Sequence, residues 1–359
     1  MNSLDNTKVI KKLDPSDVLG SIEMIGEQFN QAWQEFKEVK IPKNYWPVNK
    51  ILVNGMGGSA LGSHVWRSLF FDQLKLPAGI INSYNLPASL DQKTLYIISS
   101  YSGGTEEPLS TFLLAKRRGA KIFGIASGGK LASLIKQGKM PGYVFDPIFN
   151  PSAQPRLGLG YSLGAQLALV KKLGLIKMTD AEVNQGLKTI SQLNINFGFA
   201  KAAAKNPAKK LALQAFGKSL AIIASEFLAG NAHVFANQVN ETAKTFSSYY
   251  LIPELNHHLL EGLRYPKTNR QSLLFIFLES ELYQPKNQIR QQITKKVVAQ
   301  NKVKSVSYQL KAKTKFEQVL EALLLSSYAT FYLAILNNIN PTPVPWVDYF
   351  KDQLKKVSR

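Results

Sequence analysis

The chain has 359 residues, 45% of them hydrophobic, and a formal net charge of +20 from 44 basic and 24 acidic side chains. Apolar material on that scale fills a core of one or two domains, while the absence of cysteine excludes a disulfide framework and a thiolate metal site. The charge favours anions, but the lysines alternate with apolar residues and no nucleic-acid motif accompanies them, so neither nucleic acid nor membrane is expected as a partner.

The opening stretch "MNSLDNTKVIKKLDPSD" lacks the apolar segment of a secretory signal, and a cytoplasmic protein is expected. Residues 1–45 read as an N-terminal helical segment, with amphipathic spacing in "SIEMIGEQFNQAWQEFKEV". From residue 46 the pattern alternates. "KILVNG" reads as a buried strand, "GMGGSALG" as a glycine turn and "SHVWRSLFF" as a helix. "AGIINSY" and "TLYIIS" are strands, "EEPLSTFLLAKRRG" is a helix closed by Gly119, and "KIFGIAS" is a strand. Short connections between such units imply a parallel sheet covered on both faces.

A proline- and glycine-rich connection, "PIFNPSAQPRLGLGYSLG", interrupts this plan, and two helical stretches carry the chain to about Lys210. The alternation then restarts with strands "SLAIIAS", "SSYYLIP", "SLLFIFLES" and "KVKSVSYQL" and helices "AHVFANQVNETAKT" and "NQIRQQITKKVVAQN". An apolar helix from Phe316 to Leu336 follows, read as buried because prolines come soon after Asn337 and Asn338, and a last helix begins at Pro345. The expected fold class is α/β: two doubly wound, mainly parallel-sheet domains with helices on both faces, plus N-terminal and C-terminal helices. The expected units are 46–152, the connecting helices 153–210, and 211–359.

Two turns carry the chemical signal. "GMGGSALG" lies between strand and helix, where open α/β sheets bind ligands. It satisfies a loose dinucleotide pattern, but Asn82 and Ser83 stand where a ribose-binding acid is needed, and no Gly-Lys-Ser/Thr marks a P-loop. "SSYSGGT" puts Ser100, Ser102 and Thr105 at the opening of another helix. Unpaired N–H groups at helix starts attract anions, and two such turns on one sheet point to a phosphate site rather than to ordinary capping.

These residues resemble the sugar isomerase (SIS) domain. With "QPRLGLGYSLG", "NQVNETAK", "IPELNHH" and "NNINPTPVPWVDYFKDQL", the chain from about Ile51 onward is similar to the bifunctional phosphoglucose/phosphomannose isomerase family. The resemblance implies two SIS domains and a phosphate held by Gly57, Gly58, Ser59, Ser100, Ser102 and Thr105. It implies Arg156 facing the reacting carbons, Glu241 as catalytic base, Lys351 at the ring oxygen and Thr342 at the C2–C3 region. His257 would open the sugar ring from the partner subunit of a homodimer, a dimer to which the long apolar helix would also contribute. Glucose 6-phosphate and mannose 6-phosphate would interconvert with fructose 6-phosphate through an enediolate, without metal or cofactor. Gly104, His258 and "EGL" after it depart from the family pattern.

Viewed singly, these residues have plainer explanations: Glu241 as a surface carboxylate paired with Lys244 three residues on, His257 as a helix-start residue, Lys351 as a solvated lysine. Arg156 is harder to explain, since no acid lies near it in sequence. His64, His233, His257 and His258 show no H-x-x-x-H pair, which speaks against a zinc centre. A non-catalytic phosphosugar-binding regulator is the alternative, although such a protein could dispense with Glu241 and His257 and none of its usual DNA-binding modules is visible.

Overall fold

In the computed structural model, residues 3–357 are described, and they form two parallel sheets wrapped in helices. The first holds β1 (Lys50–Asn54), β2 (Ala78–Ile81), β3 (Thr94–Ser99), β4 (Lys121–Ala126) and β5 (Gly142–Val144) in the order β2-β1-β3-β4-β5. The second holds β6 (Ser219–Ser225), β7 (Ser247–Ile252), β8 (Leu273–Glu279) and β9 (Lys304–Gln309) in the order β7-β6-β8-β9. Every pairing is parallel, with Val53 beside Ile97 and Ile97 beside Phe123 in the first sheet, and Ile222 beside Ile276 in the second. All six residues of "TLYIIS" are buried, as a central strand covered on both faces requires.

Three sequence expectations change. The N-terminal helical stretch breaks at Met24 into helices Val18–Glu23 and Ile25–Glu35. The glycine turn is shorter than it reads, because the helix already begins at Gly58 and runs to Leu69. The connection after Asp146 ends early too: "LGYSLG" opens the helix Leu159–Lys172, followed by helices Asp180–Phe197 and Pro207–Ala215. Glycine serves there as a small face. A Cβ on Gly160 would stand 2.4 Å from the Ile25 carbonyl oxygen, and one on Gly164 2.8 Å from that of Phe29. Close helix–helix approach outweighs the intrinsic cost of glycine in a helix.

Helix Lys315–Leu336 is long and apolar enough to cross a membrane, but it lies inside the protein. It packs against helices Asp180–Phe197, Pro207–Ala215 and Val18–Glu23, and against the helix Ala229–Glu241 that follows β6. Its buried Glu321 is satisfied by the Tyr308 hydroxyl at 2.8 Å and by the N–H groups of Lys311 and Ala312. This helix is therefore not free to form a dimer face. Apolar side chains are uncovered on the helix Pro345–Val357, where Trp346 is 82% exposed and Phe350 64% exposed.

Candidate functional site

Both turns lie at the carboxyl ends of first-sheet strands. After β1, Gly57 adopts φ +49, a left-handed backbone that favours glycine, and a Cβ on Gly55 would come within 2.9 Å of the Ser99 carbonyl oxygen. Asn82, which follows β2, donates to the Gly55 carbonyl at 2.6 Å and so holds the turn in place. After β3, Gly103 has φ +68, and a Cβ there would overlap the Gly128 carbonyl oxygen. The Leu131 N–H bonds the Gly103 carbonyl and the Ser127 hydroxyl bonds that of Tyr101, which pins the second turn to the loop after β4.

Ordinary capping does not account for these residues. Neither helix Gly58–Leu69 nor helix Glu106–Arg117 has a side-chain hydrogen bond at its start, whereas Thr179 and Thr314 cap their helices with full reciprocal bonds. Ser100 and Thr105 instead bond each other, hydroxyl to hydroxyl, at 2.7 Å. Ser102 and Gly104 are exposed, and a side chain at Gly104 would meet only open space. Ser59 differs: its oxygen accepts the Tyr101 N–H at 2.8 Å, which leaves its hydroxyl hydrogen to donate. The two helix starts, the second with Glu106 and Glu107 in its first turn, present hydroxyl and backbone donors of the kind an anion can accept from.

The first turn touches the segment that carries Arg156. A Cβ on Gly58 would stand 2.7 Å from the Pro155 carbonyl carbon and 2.8 Å from the Arg156 nitrogen, so the "QPR" backbone lies directly on the first turn. The Arg156 guanidinium is almost fully buried and well anchored. Nε donates to the Thr242 hydroxyl (3.2 Å), Nη1 to Gln154 Oε1 (2.8 Å), and Nη2 to the carbonyls of Pro341 (2.8 Å) and Thr342 (2.7 Å). Nη1 also lies 3.9 Å from Glu241 Oε2, so the acid missing from the local sequence comes from a helix of the other sheet's layer.

Glu241 is the last residue of its helix, and its side chain keeps about a third of its surface open (32%). Burial holds its pKa above the ordinary 4.5, while Arg156, Lys244 and Lys351 act to lower it. That combination yields a more basic carboxylate which nearby cations keep ionised. Lys351, exposed on helix Pro345–Val357, is thus brought to the site. Thr342 is there as well, and its buried hydroxyl has no partner among the described residues.

Lys244 is a site residue that sequence reasoning missed. It does not pair with the Glu241 carboxylate. Its Nζ donates to the carbonyls of Glu241 (2.9 Å), Thr242 (3.3 Å) and Pro341 (2.8 Å), from a backbone at φ +50. Burial, with help from Arg156, lowers its pKa to about 8, and Glu241 opposes that shift. Arg156 and Lys244 together tie the Pro341–Thr342 segment to the end of the Glu241 helix. The i, i+3 spacing was a signal for Lys244, but the left-handed turn redirects the side chain.

His257 stands apart. It lies in the short helix Leu255–His258 after β7, is exposed, and makes no hydrogen bond or ion pair with Glu241, Arg156 or Lys351 among the described residues. No group of three or more His, Cys, Asp or Glu side chains among the described residues could hold a metal ion.

Residues 204–354 match the family described as "Bacterial phospho-glucose isomerase C-terminal SIS domain". The chain is 33% identical to a bifunctional phosphoglucose/phosphomannose isomerase of Caldicellulosiruptor bescii, over 94% of this chain and 98% of that one. It is 28% identical to a protein of the same name from Aquifex aeolicus, over 90% and 96% of the two chains. A crystal structure of a hypothetical protein from Thermus thermophilus superposes with a TM-score of 0.72 at 14% identity, over 97% of this chain and 93% of that one, a likeness of fold.

Proposed function

The chain belongs to the bifunctional phosphoglucose/phosphomannose isomerase family, and we propose that it interconverts glucose 6-phosphate and mannose 6-phosphate with fructose 6-phosphate through a cis-enediolate. Sugar-phosphate isomerisation is the activity its relatives' names carry. The observation that carries the finer reading is the contact of Gly58 with the Arg156 backbone, with the Arg156 guanidinium 3.9 Å from Glu241. An anion cup and a cation–carboxylate pair adjoin, as moving a proton along a phosphorylated sugar demands.

In this reading Gly57, Gly58, Ser59, Ser100, Ser102 and Thr105 hold the phosphate. Glu241 takes the proton from C2 or C1 and returns it to the other carbon. Arg156, held by four protein oxygens, faces the oxygen on which negative charge develops. Lys351 assists at the ring oxygen, and His257 opens the ring from the partner subunit of a homodimer, which suits its exposure and its lack of a side-chain hydrogen bond among the described residues. Thr342 is small and leaves room for rotation about C2–C3, so that either face of C2 can be protonated. The two sheets support a division into 46–152 and 211–359, joined by helices 153–210 and preceded by the helical segment 1–45.

A coupled assay started from fructose 6-phosphate and following both aldose products tests this. Formation of both is the expected result, and formation of neither would overturn the proposal.

A further inference from the structure

Helices Gly58–Leu69 and Ala229–Glu241 cross in opposite directions. At one end, Gly58 lies on Arg156 and Arg156 faces Glu241. At the other, the Gly230 N–H bonds the Ser68 hydroxyl at 3.1 Å, and a Cβ on Gly230 would stand 2.3 Å from the His64 carbonyl oxygen. Each end thus combines the start of one helix with the end of the other. The second end also holds a cavity of about 730 Å³, beside the carboxyl ends of β6 and β7. That is the crevice where doubly wound sheets bind ligands, and the volume suits a small molecule.

The chemistry there is not that of the phosphate cup. The turn that leaves β6 puts Glu226 at φ +46, where the turn leaving β1 puts Gly57 at φ +49. The Glu226 carboxylate accepts from the Gln284 N–H (2.8 Å) and from Asn287 Nδ2 (2.7 Å) through one oxygen, and its other oxygen has no donor among the described residues. Lys315 is paired with Asp72 at 2.7 Å, so among the described residues Arg67 is the one lining cation without an ion pair, against Glu226 and Glu254. A phosphate is disfavoured.

The opposite wall is aromatic. Tyr249 stacks on His233 with centroids 4.6 Å apart and planes 20° apart, and His233 meets His64 edge-on at 4.2 Å. His64 Nε2 and His233 Nδ1 are buried without a hydrogen-bond partner among the described residues, a polar cost carried by the ring pair behind Tyr249. Burial keeps both rings neutral, so each offers one donor and one acceptor.

We propose that this cavity is a nucleoside site, with the base stacked on the face of Tyr249 turned away from His233 and the sugar cis-diol held by Glu226. The proposal is independent of the isomerase reading. The test is titration of the full-length protein with adenosine, followed by calorimetry and by the C–H signals of its four histidines. Saturable binding should shift the signals of His64 and His233 and leave those of His257 and His258 in place. Tyr249→Leu and Glu226→Gln should each weaken adenosine by at least about fivefold, since stacking on an aromatic ring is a substantial share of such binding. Both variants should keep the parent's turnover of fructose 6-phosphate. No saturation at millimolar adenosine, shifts confined to His257 and His258, or displacement by fructose 6-phosphate or inorganic phosphate would overturn the assignment. So would undiminished binding by folded variants; if Tyr249→Leu fails to fold, the parent's histidine spectrum decides.

Discussion

Glu241 and Arg156 attract each other at 3.9 Å without closing into a hydrogen-bonded ion pair, so the carboxylate is not locked to the guanidinium and stays free to take a proton. If Glu241 moves the proton, Glu241→Gln keeps the shape and removes the base. Turnover should then fall by at least about two orders of magnitude, while an enediolate-mimicking sugar acid still binds. Exchange of the C1/C2 proton of fructose 6-phosphate with deuterated water should vanish; unchanged exchange would exclude Glu241 as the base. The pH dependence has a definite sign. The Glu241 pKa is raised, so the active carboxylate is lost as pH falls through a value above 4.5, and the acid limb of kcat/KM should lie there. Lys351 acts to lower that value, so Lys351→Met should move the limb to higher pH, whereas a lysine remote from the site would leave it in place. The resemblance pointed to both Glu241 and Arg156, but their ion pairing was hidden, because the two are brought together through the contact of distant segments. Lys244 was hidden for a local reason: one left-handed residue turns a surface ion pair into a carbonyl clamp.

At the level of elements, strands and long helices were legible because each repeats a strong pattern, as the fully buried β3 and helix Lys315–Leu336 show. Helix starts led by glycine were not. Gly58 and "LGYSLG" read as loop, since glycine's low helix propensity conceals a role in close packing. The three-residue strand β5 is too short to show any period. Gly58 is the place where this bears on chemistry. Gly58→Ala puts a methyl group 2.7 Å from the Pro155 carbonyl carbon, so the Arg156 backbone has to retreat from the turn after β1. Misplacement on that scale costs on the order of 10²-fold in rate. Activity should fall by about that factor with far-ultraviolet circular dichroism unchanged, and a fully active, folded Gly58→Ala would show that the two segments need not touch.

For the molecule as a whole, the proposed homodimer makes His257 a residue lent to the neighbouring site. Glu241→Gln and His257→Ala chains, each inactive alone, should regain part of the parent activity once their subunits exchange. No recovery after verified exchange would mean that each site is built from one chain. Stability should also respond to the histidine pair between the crossed helices. Burial, His233 and Arg67 lower the His64 pKa to about 3, and burial lowers that of His233. The unfolded chain takes up protons near pH 6.5 that the folded chain refuses, so the pair's contribution is present above that pH and lost as pH falls below it. The midpoint of thermal unfolding should drop from about pH 7 to about pH 5, and less steeply in His64→Gln.

Helix Lys315–Leu336 sets a schedule. The N-terminal helix Val18–Glu23, helices Asp180–Phe197 and Pro207–Ala215 and the Glu241 helix all pack against it, yet the ribosome makes it long after them. At ordinary elongation rates its arrival trails the first helices by on the order of tens of seconds. Throughout that interval the faces it will cover stay open to water, to chaperones and to other nascent chains. The first sheet has all its strands by Val144 and is free to assemble early. Arg156 is not fully anchored until the Pro341–Thr342 carbonyls arrive, so its setting beside Glu241 is completed only after both sheets have been translated.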